Sequence, residues 1–237
     1  MSIQGNPYSV HDSNLTLLLD VSNTKSYPGS GTVWTDLVGG LVFNSTGTIT
    51  PVETINTAKS FAFNGSGYWY CNSGYSNVDL GGDCTLIMWI YSEDVTVRKT
   101  IFEKAGTSYA SYQQEIAVTW ETAEQFSYYS RQNPTYDYGA INAGTLNKWN
   151  MFGLKMSTGK TSSARTGFKS TNGSSWTADY VSNSNTALLA AGEIRIGTGY
   201  AGTCDVGNVG MVMCYNKMLT DQEILQNYNT TRTRFGL

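Results

Sequence analysis

Cys84-Thr85-Leu86-Ile87-Met88-Trp89-Ile90-Tyr91 is the longest apolar run of strand length in the chain. Successive side chains of a strand point to opposite faces, so a strand with one wet face alternates apolar and polar residues. This run is apolar on both parities. It reads as a central strand whose second face is also covered.

Shorter runs of the same kind lie on either side. Leu15-Thr16-Leu17-Leu18-Leu19-Asp20 ends in turn chemistry and reads as a buried strand, followed by a loop with Pro28-Gly29. Val33–Leu37, Leu41–Phe43 and Ser60–Phe63 follow. Asn64-Gly65 then precedes Tyr68-Trp69-Tyr70, a spacing that predicts a hairpin. Beyond the central run come Thr100–Phe102, Glu115–Trp120, Gln125–Tyr129, Trp149–Met156, Ser163–Ser170, Glu193–Ile196 and Val206–Tyr215. Short strands at this spacing, parted by Gly, Asn and Ser turns, predict a sandwich or barrel. One helix is expected, because Thr220-Asp221-Gln222-Glu223 has capping-box spacing and Ile224, Leu225 and Tyr228 form an apolar stripe behind it.

Composition agrees and narrows the partners. The 237 residues include 25 Gly, 16 Tyr and 6 Trp, and only 14% are charged. With a net charge of -3 and many aromatics, the chain has the composition of a folded β-protein. The 15 Lys and Arg are scattered, so no nucleic-acid partner is expected. No apolar run approaches about 18 residues, so no membrane insertion is expected. Residues 1–14 are polar and irregular, which suits an N-terminal arm for docking, and 15–237 read as one domain. The N-terminus lacks the layout of a secretory signal, and the expectation is synthesis in a cytoplasm. Cys71, Cys84, Cys204 and Cys214 have no CxxC spacing, which predicts buried thiols rather than zinc.

Several segments, in order, resemble laminin-G-like, concanavalin A-like lectin/glucanase domains. They are Ser60–Tyr68, Thr85–Ile90, Ile101–Lys104, Trp149 with Met151–Gly153, and Ile194–Gly197. The most distinctive is Gly207–Ile224, which looks like the last strand and closing helix of that family. The resemblance implies an all-β fold, an antiparallel β-sandwich (a concanavalin A-like jelly roll) with one short C-terminal helix. Leu19–Gly29, Gln226–Asn229 and Arg232–Leu237 look most like copies in structural proteins of tailed bacteriophages. That likeness implies a virion protein: capsid decoration, fibre or tail component, with other virion proteins as partners. It also implies a symmetric homo-oligomer and, through host-surface polysaccharide, a role in attachment.

The residues weigh against catalysis. A glycosidase needs two carboxylates about 5–9 Å apart on one face, and no Glu-x-Asp-x-x-Glu occurs. Glu115, Glu121 and Glu124 are the nearest cluster, and 121–124 reads as a turn. The one histidine, His11, lies in the arm, leaving no base for a nucleophile. No enzyme activity is expected.

Family members hold calcium at the sandwich rim, and here Asp79, Asp83, Asp205 and Asn208 are the residues for such a Ca2+ site. Their spacing lacks the regularity of a dedicated loop, and turn-capping is the plainer reading. Sugar rings stack on aromatic faces while amides and carboxylates fix hydroxyls. The carbohydrate candidates are Tyr128, Tyr129, Arg131, Asn133, Tyr136, Asp137 and Tyr138, in a segment that carries Pro and turn formers. Tyr109 and Tyr112 are a second group. The alternative for these tyrosines is padding of the sandwich or contact with a neighbouring subunit.

Overall fold

The protein is described by a computed structural model covering residues 13–55, 58–80, 82–91, 96, 98–105, 114–121, 125–132, 135–142, 146–156, 165–170, 192–199 and 207–237. Its strands are β1 (Leu15–Asp20), β2 (Val33–Thr35), β3 (Val42–Gly47), β4 (Thr50–Ile55), β5 (Ala58–Ala62), β6 (Gly67–Cys71), β7 (Cys84–Tyr91) and β8 (Lys99–Ala105). They continue with β9 (Gln114–Glu121), β10 (Gln125–Gln132), β11 (Thr135–Asn142), β12 (Trp149–Met156), β13 (Arg165–Ser170), β14 (Glu193–Ile196) and β15 (Asn208–Tyr215). Helix α1 (Asp221–Thr231) closes the chain, followed by a 3-10 turn over Arg232–Phe235.

Two antiparallel sheets stack face to face. The seven-stranded sheet runs β13-β12-β7-β15-β5-β4, with β1 also pairing β15. The eight-stranded sheet runs β11-β10-β9-β8-β14-β6-β3-β2. The β-sandwich with one short C-terminal helix is thus the architecture that the sequence predicts.

Parity sorts the residues between two cores. Leu86, Met88 and Ile90 of β7 meet Phe102, Ile116, Val118, Trp120, Phe126 and Ile196 between the sheets. Ile87 and Trp89 point the other way, with Met211, Met213, Tyr215, Trp149 and Met151, into a second apolar layer under α1. Phe235 stacks on Trp89 with ring centroids 4.2 Å apart and lies tilted against Trp149 at 4.8 Å. A Cβ on Gly210 would come within 2.6 Å of the Phe235 ring, so that contact needs a glycine. The Trp89 indole donates to Thr231 Oγ1 at 2.9 Å, and the Tyr215 hydroxyl donates to Asn227 Oδ1 at 3.0 Å. The capping box at Thr220 and Glu223 is formed in full.

The C-terminal turn is tied down by charge as well. Arg234 forks onto Asp20, with N···O distances of 2.7 and 3.1 Å, at the end of β1. Burial pushes the Asp20 carboxyl up to about 7, against backbone hydrogen bonds from Ser22 and Asn23 that lower it. Burial also lowers Arg234, to about 10. Desolvation is the larger effect on both partners.

One local expectation needs correction. Asn64-Gly65 does form a turn, with Gly65 at φ 80° and Asn64 Oδ1 accepting from Ser66 N at 3.0 Å. It does not close a hairpin, because β5 pairs β15 and β4 while β6 pairs β3 and β14 in the other sheet. The turn instead carries the chain across the core. Around the candidate tyrosine segment, β10 pairs β11 in a regular ladder from Gln125↔Asn142 to Gln132↔Thr135, and Asn133 and Pro134 lie outside the described residues.

Cys71, Cys84 and Cys214 are buried thiols as expected, while Cys204 lies outside the described residues. Residues 1–12 of the expected arm also lie outside them. No helix among the described residues is long and apolar enough to cross a membrane.

Candidate functional site

The outer face of the eight-stranded sheet is built unlike its inner face. Opposed residues of an antiparallel ladder share a face, so the pairings trace one row across six strands. The row runs Asn44 on β3, Tyr70 on β6, Arg195 on β14, Glu103 on β8, Ala117 on β9 and Tyr129 on β10. None of these belongs to the inter-sheet core.

At the β9–β10 end the row meets a network around Glu121. This carboxylate accepts from Arg98 Nε at 2.7 Å, from Thr119 Oγ1 at 2.7 Å and from the Tyr129 hydroxyl at 3.1 Å. The Arg98 guanidinium also stands 5.0 Å from the Tyr129 ring centroid, a cation–π contact. The Glu121 side chain is only 11% exposed, whereas that of Arg98 is 45% exposed. A buried carboxylate thus anchors an accessible cation and a half-buried aromatic ring in fixed positions. This end of the row therefore presents an aromatic ring beside a guanidinium at the edge of the sheet.

In the middle of the row, Arg195 lies between two carboxylates. It pairs with Glu193 and stands 3.9 Å from Glu103. Burial raises the Glu193 carboxyl above its ordinary value. Gly199 folds over this part, and a Cβ there would come within 2.8 Å of Glu103 Oε2 and 2.5 Å of Thr100 Cγ2. Glu103, Ala117, Thr119 and Ser127 are all fully buried although they sit on the outer side of the sheet. The centre is therefore roofed, and the accessible groups lie on its two flanks.

The structure sorts the sequence candidates. Tyr128 is a correction: it is fully buried and belongs to the inter-sheet core, with its ring over Gly139 directly across the ladder. It offers no face to a sugar. Tyr129 points to the opposite side and is the described aromatic of the group on the outer face. In the ladder Arg131 pairs with Tyr136, Ser130 with Asp137, and Tyr129 with Tyr138. Asn133, Tyr109 and Tyr112 lie outside the described residues.

Of the calcium candidates, Asp79 and Asp83 are exposed beside the start of β7, and Asp205 lies outside the described residues. Asn208 is buried on β15 with its amide donating to Ser60 Oγ at 3.0 Å, a structural role. Calcium takes six to eight oxygens. The described residues bring together no cluster of three or more acidic, His or Cys groups. Among the glutamates, Glu115 is on β9 and Glu124 is outside the described residues.

Sequence reasoning missed Arg98, Glu103 and Arg195. A signal existed: charges inside otherwise apolar strands, Glu103-Lys104 in β8 and Arg195 in β14, in a chain poor in charge. Lys104 itself faces inward and donates to the Val78 carbonyl.

No family model matches the chain, and no curated protein matches it. Solved structures do match. Trypanosoma rangeli sialidase in complex with the inhibitor DANA aligns with a TM-score of 0.63 at 14% identity, over 96% of this chain and 34% of that one. The binding domain of botulinum neurotoxin DC in complex with SialylT aligns with a TM-score of 0.64 at 11% identity, over 92% of this chain and 52% of that one. HCR/D-Sa-GBL1/C gives a TM-score of 0.67 at 11% identity over the same shares. What the chain shares with these structures is a two-sheet β-sandwich. The chain spans about a third of the sialidase and about half of the toxin domain, and at this identity the likeness is one of fold.

Proposed function

We propose that the protein is a non-enzymatic, lectin-like module that binds glycans on the outer face of its eight-stranded sheet. The observation that carries this reading is the constellation of Arg98, Tyr129 and Glu121, an aromatic ring and a guanidinium held in place by one buried carboxylate. Tyr and Arg suit such surfaces because they give large contact area and paired donors at low entropic cost. The solved neighbours include a toxin binding domain in complex with SialylT, which agrees with a binding role without assigning one.

The described carboxylates of this face are engaged, Glu121 by Arg98, Thr119 and Tyr129, and Glu103 and Glu193 by Arg195. That setting suits binding better than the division of acid and nucleophile roles in glycoside hydrolysis. Residence in a bacteriophage virion, as capsid decoration, fibre or tail component, rests on the resemblance of Leu19–Gly29, Gln226–Asn229 and Arg232–Leu237 to phage structural proteins. Host-surface polysaccharide is then the natural ligand and other virion proteins are the natural neighbours. A homo-oligomer would raise weak single-site affinity through avidity.

The test is a host-polysaccharide array probed with the wild type and with Tyr129→Ala, alongside an assay for new reducing ends. Binding weakened in the variant, with no reducing ends released, supports the reading. Sugar cleavage, or binding indifferent to Tyr129, overturns it. Stoichiometric presence on purified phage particles tests the virion assignment separately.

A further inference from the structure

We infer that the same face carries a second carbohydrate platform, centred on Tyr68 and Tyr70 of β6, that takes uncharged pyranose rings. This rests on the glycan-binding reading but on different residues. Tyr68 and Tyr70 are two apart on one strand, so both lie on the outer side, and both are half-buried. Their ring centroids are 6.1 Å apart with planes inclined at 57°. Two inclined rings at that spacing present a shallow apolar cradle of the width of a sugar ring.

The flanks supply the polar groups. Across one side of β6, Thr46 stands opposite Tyr68 and Asn44 opposite Tyr70, both half-buried. Across the other side Arg195 stands opposite Tyr70. Hydroxyl, amide and guanidinium thus border the rings, as recognition of sugar hydroxyls requires.

Charge decides the class of sugar. Arg195 faces two carboxylates, Glu193 and Glu103, so this trio carries more negative than positive groups. Its guanidinium is committed to them, and an acidic sugar would meet net repulsion. A neutral hexose meets none.

The platform is distinct from the Tyr129 site. Tyr70 and Tyr129 occupy the same row four strand steps apart, about 19 Å at the usual strand spacing. Between them Glu103 and Ala117 are fully buried, so a glycan chain cannot rest on the sheet continuously from one to the other. The module is bivalent.

Calorimetric titration of the full chain with maltohexaose, cellohexaose, laminarihexaose, mannohexaose and 3′-sialyllactose tests this. At least one neutral hexasaccharide is expected to bind two sites per chain, with 3′-sialyllactose excluded from the Tyr68–Tyr70 site. In the Tyr68→Ala/Tyr70→Ala double variant one site should disappear, while Tyr129→Ala should remove the other. If the double variant does not fold, Asn44→Ala replaces it, with an expected affinity loss of about fivefold at one site only. Loss of all binding in Tyr129→Ala leaves the main site standing and overturns the second platform. Full binding in Tyr129→Ala with loss in the double variant does the reverse. No neutral binding, or preference for the sialylated probe at Tyr68–Tyr70, also overturns the inference.

Discussion

The two outer faces of this sandwich are built from the same kind of strand and end in opposite states. On the seven-stranded sheet, Ile87, Trp89, Trp149, Met151, Met211 and Met213 face outward, and α1 with Phe235 seals them. On the eight-stranded sheet the outward positions are Tyr68, Tyr70, Glu193, Arg195, Glu103, Thr119, Glu121 and Tyr129. An apolar face must be covered, because leaving it in water costs about 25 cal/mol for each Å². A polar face can stay accessible at its edges if its charges are paired. The difference assigns stability to one side of the molecule and leaves the other side for the recognition proposed above.

Substitutions can break that division, and the largest effect should come from the sealed face. Phe235→Ala removes a ring packed between Trp89 and Trp149 and should cost about 3–5 kcal/mol in chemical denaturation. Glycan affinity per folded molecule should not change. If the protein unfolds no more easily, the turn that carries Phe235 is not what closes that face.

The anchor of the same segment comes next. Asp20→Ala strands the Arg234 fork and the Ser22 N–H, at an expected cost of about 2 kcal/mol. Its pH dependence has a definite sign. The folded carboxyl sits at about 7 against an ordinary 3.8. Its contribution is therefore complete below about pH 4 and is lost as pH rises through 7. Wild-type stability should fall between about pH 4 and 7 more steeply than that of Asp20→Asn. Equal slopes for the two proteins would refute a raised Asp20.

On the open face, Tyr129→Ala should weaken sugar binding about tenfold and leave unfolding nearly unchanged, since the ring is half-buried. A large stability loss would show that the face is structural. The smallest effect belongs to the helix cap. Thr220→Ala should cost about 1 kcal/mol in thermal unfolding. Lys217 and the Thr220 backbone hold the Glu223 carboxyl down to about 2, from an ordinary 4.5. Its share is present above pH 4.5 and lost as pH falls through 2, so the cap weakens in strong acid while the Asp20 anchor does not.

The strands were legible because burial leaves a period in the residues: β1, β7, β12 and β14 coincide with their predicted bounds. The helix was legible from its cap. Of the candidate site, the sequence named Tyr129 only as one of seven residues, with Tyr128 grouped beside it. Parity alone separates these adjacent tyrosines, and only the pairing of β10 with β9 says which parity faces inward. Strands β4 and β11 were missed because Pro51 and the polar residues of 135–142 hide the alternation.

What the chain carries locally is its elements: two-residue alternation, the Asn64-Gly65 turn and the Thr220–Glu223 box are short-range patterns fixed by backbone sterics and nearby hydrogen bonds. Which strands pair was decided only in three dimensions. β5 and β6 are neighbours in sequence yet lie in opposite sheets, because their edges find partners far along the chain. The Glu121 network and the Glu103–Arg195–Glu193 trio arise the same way. They bring together side chains from separate strands, and no local pattern records that meeting.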